Sequence, residues 1–221
     1  MTFEEIIEKA SEKSIEDIQI ALSKIFQKVN YGSIVSMNQT FNGLYRARKH
    51  KQIDGESSDY LFSNEKEFWS PPIKSIVNLG RCNNIHEPMF YGSNSFETAI
   101  LEVRPEIGKF ISVAHFIPIK LNGNLPSFII KPICLNDLKN ISDYKHLISE
   151  NYFLTKNKKF NEVDRLIDKL FTEKIVDKAK YKITIAITKC MLSNIINKSG
   201  KIDFINGMIY PSIANRKNSI N

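Results

Sequence analysis

The chain has 221 residues, 42% hydrophobic and 25% charged, the balance of an ordinary globular protein that can bury a core without disulfide or metal staples. Its formal net charge of +7 is uneven, with six acids and two bases in residues 1–20 but twelve bases and five acids in residues 156–201. The basic block reads as a solvated helical face, with an acidic partner or nucleic acid as the competing reading. Cys82, Cys134 and Cys190 are widely spaced and form no C-x-x-C, which argues against a disulfide framework or zinc knuckle and for a reducing, cytoplasmic setting. No apolar run approaches the ~18 residues of a membrane span. The acidic opening "MTFEEIIEKASEKSIED" lacks the apolar region of a signal peptide.

In chain order, residues 2–29 read as helix in two pieces. Ser14 with Asp17 offers the second N-cap, ahead of Ile15, Ile18, Leu22, Ile25 and Phe26 at helical spacing. "GLYRAR" (43–48) predicts a short strand, 50–59 a polar loop, and Pro71-Pro72 a break. "PMFYGS" (88–93) predicts a further strand. Ser95 then caps a helix over 96–103 that stops before Pro105. "KFISVAHFIPI" (109–119) is the strongest strand signal. Residues 136–198 read as mostly helical, and "FINGMIYPS" (204–212) as a returning strand. Strands, a helical block and a strand again predict an α+β fold.

Several chemistries are unsupported. The nine glycines never approach closer than the seven positions between Gly200 and Gly207, so neither G-x-G-x-x-G nor a P-loop is present. The four histidines, His50, His86, His115 and His146, never pair at i,i+4, and no metal site is expected. G-x-S-x-G is also missing. What remains is a set of polar residues on or beside strands. Arg46 lies in "LYRAR". Arg81 follows Gly80, and Asn83 comes two residues later. An arginine fork suits phosphate oxygens, although each arginine also reads as a surface or turn residue.

On the 96–103 helix, Phe96, Ile100 and Val103 are expected to face the core. Ser95, Thr98, Ala99 and Glu102 share another face, so Glu102 sits among small side chains, and a last-turn glutamate opposes the helix dipole. Tyr91 and Ser212 complete the set, with a core-edge aromatic and a strand stop as their plainer readings. Trp69 and Phe68 read as packing residues.

Taken in order, "LYRAR", "GRCN", "MFYGS", "SFETAILEV" and "GMIYPS" resemble the RES-domain family of bacterial toxin-like proteins, over about 43–221. The position after Arg81, usually a larger apolar residue in that family, is Cys82, and His86 replaces a glycine. The chain ends near where such domains begin a last apolar strand.

The resemblance implies an ADP-ribosyltransferase-like β core at 43–221, with a helical N-terminal segment (1–30) and a helical insertion (about 136–198). It implies NAD as substrate rather than cofactor. Glu102 would stabilise the ribosyl cation formed as the nicotinamide bond breaks. Arg46 and Arg81 would hold the pyrophosphate, Asn83 and Tyr91 would line the pocket, and Ser212 would add a hydrogen bond. ADP-ribose would pass to inorganic phosphate or water, with transfer to a protein as an alternative. A cognate antitoxin protein is an implied partner. The second alternative is an inactive nucleic-acid or partner-binding module using the basic 156–201 helices. It is disfavoured because that block has little of the aromatic interleaving used by single-strand binders.

Overall fold

The computed structural model describes residues 1–29, 31, 37–39, 43–52, 59–60, 62–124, 128–134, 158–175, 177–192, 195–196, 202–203 and 205–214. The chain forms two compact units, each interrupted in sequence. One comprises Met1–Thr40, Asn78–Ile85 and Ser127–Pro211, the other Phe41–Val77, His86–Pro126 and Ser212–Asn221. The fold mixes helices with small sheets, and no helix among the described residues is long and apolar enough to cross a membrane.

In the first unit, α1 (Phe3–Glu8) begins with a reciprocal capping box between Thr2 and Glu5. A short 3-10 turn leads to α2 (Ile15–Val29). The Ser14 hydroxyl accepts the Asp17 amide at 3.1 Å and donates to the Asp17 carboxylate at 2.7 Å, the cap expected there. Ile15, Ile18, Leu22 and Phe26 are buried along one stripe, while Ile25 is only half-buried.

Beyond β1 (Met37–Gln39) and β6 (Phe128–Pro132), which pair antiparallel, come α4 (Lys158–Thr172) and α5 (Lys178–Met191). Every residue of α5 from Ile183 to Thr188 is buried, as in a helix packed on all sides, and α2 is one of its neighbours. At that interface Ser23 Oγ lies 3.3 Å from Cys190 Sγ. The Tyr31 hydroxyl donates to the Asp164 carboxylate of α4 at 2.8 Å, so this buried charge is hydrogen-bonded.

The helical block stops earlier than its composition suggests. Ile195–Ile196 form β7, paired with β8 (Ile202–Asp203), because β-branched pairs suit a ladder better than a helix end. β9 (Gly207–Ile209) then lies parallel to β6. The expected helix around 136–157 falls outside the described residues.

The second unit is built on β2 (Leu44–Lys49) and β5 (Ile111–Phe116), both expected, in a six-pair antiparallel ladder. The loop expected at 50–59 has paired ends, β3 (Lys51–Gln52) and β4 (Asp59–Tyr60). The strand expected at 88–93 is not formed. Only Ser93 bridges, to Tyr45 of β2, where the two residues exchange the one ladder-type pair of backbone bonds that this segment makes among the described residues.

Helix α3 (Phe96–Glu102) starts at Ser95, whose hydroxyl accepts the Thr98 amide at 3.2 Å. Its buried face is Thr98 and Ala99, whereas Phe96 is 46% exposed. The expected inward face was thus the wrong one: small side chains let the helix lie close on β2, and the bulky residues take its flanks.

Candidate functional site

Residues directly opposite in an antiparallel ladder share a face, so β2 and β5 present two different surfaces. One carries Tyr45 and His115, whose rings stack at 4.2 Å and 5°, together with Ala47. Helix α3 packs there, with Phe96 edge-on to Tyr45 at 6.0 Å. The other surface carries Leu44, Arg46 and Arg48 opposite Phe116, Ala114 and Ser112. His50 continues this row, and its amide bonds to the Phe110 carbonyl at 3.2 Å.

Aromatic rings wall the second surface. The Arg46 guanidinium lies 5.0 Å over the Phe90 ring, and Phe90 meets Phe116 edge-on at 5.1 Å. Trp69 packs on both rings, at 5.9 and 4.9 Å. Arg48 lies 5.4 Å over Phe62 and donates to the Trp69 carbonyl at 3.3 Å.

Burial, then repulsion from Arg48, lowers the Arg46 pKa to about 10, while the Tyr91 phenol pulls the other way. Burial also lowers Arg48, against the attraction of the Glu67 carboxylate. Arg46 Nη1, Arg48 Nε and His50 Nδ1 are all buried and meet no hydrogen-bond partner among the described residues.

Residues 90–96 carry the chain from one surface to the other, from Phe90 beneath Arg46 to Phe96 against Tyr45. Gly92 permits the passage, because a Cβ there would stand 2.9 Å from the Phe90 ring and 3.4 Å from Leu44. Tyr91 lies in this segment. Asn94, also within it, has a buried Oδ1 that meets no partner among the described residues.

Glu102 closes α3 and is exposed, and the buried Ser212 hydroxyl donates to its Oε1. The Ser212 and Glu102 positions, read separately from the sequence, therefore meet. Arg46 and Tyr91 interact electrostatically, forming a second pair.

Arg81 and Asn83 belong to the other unit. The Gly80 amide bonds to the Asn83 carbonyl at 2.9 Å, which closes the expected tight turn. Arg81 directs Nη1 to the Leu170 carbonyl at 2.7 Å and Nη2 to the Glu173 carbonyl at 2.9 Å, capping the C-terminal end of α4. Asn83 Nδ2 donates to the Asn84 carbonyl at 3.1 Å.

His86, where the resemblance has a glycine, adopts a φ of 61°, in the left-handed region that glycine favours. Arg48, His50 and Asn94 were not singled out from the sequence, although the basic residues at alternate positions in "RARKH" (46–50) were a usable strand signal. No family model, curated protein or solved structure matches the chain.

Proposed function

We propose that the protein cleaves the nicotinamide–ribose bond of NAD and passes ADP-ribose to inorganic phosphate or water, on an ADP-ribosyltransferase-like β core. The observation that carries this reading is the hydrogen bond from Ser212 to Glu102. It joins the serine and the acid of the motif resemblance although they are 110 residues apart.

In the reaction, the C–N glycosidic bond breaks and its electron pair leaves with nicotinamide, which departs neutral. Positive charge develops on the ribose, and the Glu102 carboxylate stabilises it. An oxygen of phosphate or water then bonds to the same carbon. When water is the acceptor, its proton is released to solvent. Ser212 holds the carboxylate in one orientation, which limits reorganisation as the charge develops.

Arg46 takes the diphosphate on the far surface of β2, and the ligand passes over residues 90–96 beside Tyr91. Arg81 and Asn83 enter this reading through the motif resemblance alone.

The test is incubation of the full chain with NAD, with and without phosphate at fixed ionic strength, weighing the products. Nicotinamide release with ADP-ribose 1″-phosphate or ADP-ribose is expected, and its loss in Glu102→Gln. Intact NAD in every condition would remove the proposal. ADP-ribose fixed on a protein would make the enzyme a transferase.

A further inference from the structure

We propose that Arg46, Arg48 and His50 form one two-phosphate site along a face of β2, built for a nucleoside diphosphate group. This deepens the NAD reading, on which the identity of the dinucleotide rests, by naming a second cation and a third donor for the diphosphate. Three observations carry it.

The first is the pattern. Positions 46 and 48 alternate along β2, and 50 keeps that alternation just past its last residue, where its amide bonds to Phe110, so their side chains leave on one face. Each has a buried nitrogen with no hydrogen-bond partner among the described residues. One such nitrogen is unusual in a folded protein, and here three fall at successive alternate positions.

The second is orientation. The Arg46 and Arg48 guanidinium carbons lie 5.0 and 5.4 Å over the Phe90 and Phe62 rings, and Ser112 Oγ lies 2.6 Å from His50 Nε2, leaving Nδ1 as the unmet atom. A guanidinium over an aromatic ring is attracted to its face, which fixes where the positive charge sits.

The third is charge. Arg46 and Arg48 repel each other within a desolvated setting. The groups acting against this are the Glu67 carboxylate beside Arg48 and the Tyr91 phenol beside Arg46. An anion between the guanidiniums would reverse the sign of that interaction.

The length of the row sets the class of ligand. From position 46 to 48 the strand advances about 7 Å, a step wider than the oxygens of one tetrahedral phosphate, and position 50 lies one such step further. Two phosphates joined through an oxygen present acceptors to neighbouring positions. Trp69, 48% exposed beside Phe116, offers a ring on which a base can stack.

The test is calorimetry on the full chain with ADP, AMP and inorganic pyrophosphate at fixed ionic strength. ADP should bind at least about tenfold more tightly than AMP, with pyrophosphate between them. Arg48→Ala should weaken ADP about ten- to a hundredfold while changing AMP little, collapsing that ratio. If Arg48→Ala does not fold, Arg48→Lys takes its place. It keeps the charge without the planar fork, and an intermediate ratio is expected.

Equal ADP and AMP affinity in the wild type, or an unchanged ratio in the folded Arg48 variant, overturns the site. An ADP preference without nicotinamide release from NAD would leave this site standing and remove the reaction. Nicotinamide release with equal ADP and AMP affinity would do the reverse.

Discussion

Ser212 donates its buried hydroxyl to the carboxylate of Glu102, the last residue of α3. The bond is charge-assisted, so its loss should remove about 1.5–3 kcal/mol of orientation at the carboxylate. Ser212→Ala should therefore lower kcat for nicotinamide release about ten- to a hundredfold with little change in KM. Glu102→Gln keeps the shape and removes the charge, and should cost about 10²–10³-fold in kcat. Equal activity of Ser212→Ala and wild type would separate the serine from the chemistry.

Arg46 should make the ligand-free protein less stable than it could be. Its guanidinium is desolvated and repelled by Arg48, and its pKa falls to about 10. Arg46→Met should raise the unfolding free energy by about 1 kcal/mol, near the low end for replacing buried charge because the side chain stays partly exposed. The sign follows from proton counting. Well below pH 10 both native and unfolded chains hold the proton, and the whole cost is present. Above about 10 the native side chain releases its proton while the unfolded chain keeps it, so this contribution to stability rises with pH. Denaturant unfolding of the two proteins should give a difference that is widest at neutral pH and narrows above pH 10. ADP should raise the wild-type Tm more than that of Arg46→Met.

His86 offers a direct measure of backbone strain. Its φ of 61° disfavours any residue with a Cβ by roughly 1–2 kcal/mol. His86→Gly and His86→Ala both remove the ring contact to the Ile73 carbonyl, so their difference isolates the backbone. Glycine should be the more stable of the two by about 1 kcal/mol in chemical denaturation. The reverse order would mean that the left-handed conformation is not held in solution.

The basic helices have internal work. Lys182 of α5 donates to the Ser11 and Lys13 carbonyls at 3.1 and 2.9 Å, where the 3-10 turn ends, and Lys180 pairs with Glu173 at 3.4 Å. Lys182→Ala should therefore reduce stability by about 1–2 kcal/mol. It should leave fluorescence anisotropy of a labelled DNA duplex unchanged. A marked loss of duplex affinity at unchanged stability would instead favour the nucleic-acid reading.

Deleting residues 1–29 should unfold the first unit rather than trim an appendage. Ile18, Leu22 and Phe26 are buried on α2, and α2 packs on α5, which is buried throughout its centre. Residues 1–29 bury seven large apolar side chains, Phe3, Ile6, Ile15, Ile18, Leu22, Phe26 and Val29, and at roughly 1.5–3 kcal/mol each their loss is of the size of an ordinary domain's whole stability, about 5–15 kcal/mol. Circular dichroism of the shortened chain should show loss of cooperative melting.

Where local chemistry decides the structure, it was readable in advance. Ser14 and Ser95 cap helices because a short side-chain oxygen meets orphan amides whatever lies beyond them. The runs at 43–48 and 109–119 each hold a strand, Leu44–Lys49 in place of the first and the shorter Ile111–Phe116 within the second. What escaped prediction depends on neighbours distant in sequence. Thr98 and Ala99, not Phe96, face inward because β2 lies close beneath them. The 88–93 segment looks like a strand but has only Tyr45 to pair with. At the candidate site, Glu102 and Ser212 could be named singly, but their contact across the chain could not. Arg48 and His50 were hidden because basic residues on a short strand resemble a solvated edge until the aromatic wall above them is known.

The interleaving of the two units bears on how the gene can be divided. Each unit is assembled from three separate stretches, and the polypeptide passes between them five times along its length. No single cut in the coding sequence can release either unit intact. Recombination that moves a contiguous module between genes could carry both or neither. A protease nick in one loop would leave fragments still held by the stretches on either side. Split-protein complementation should therefore succeed only at points inside one stretch, with both halves expressed together.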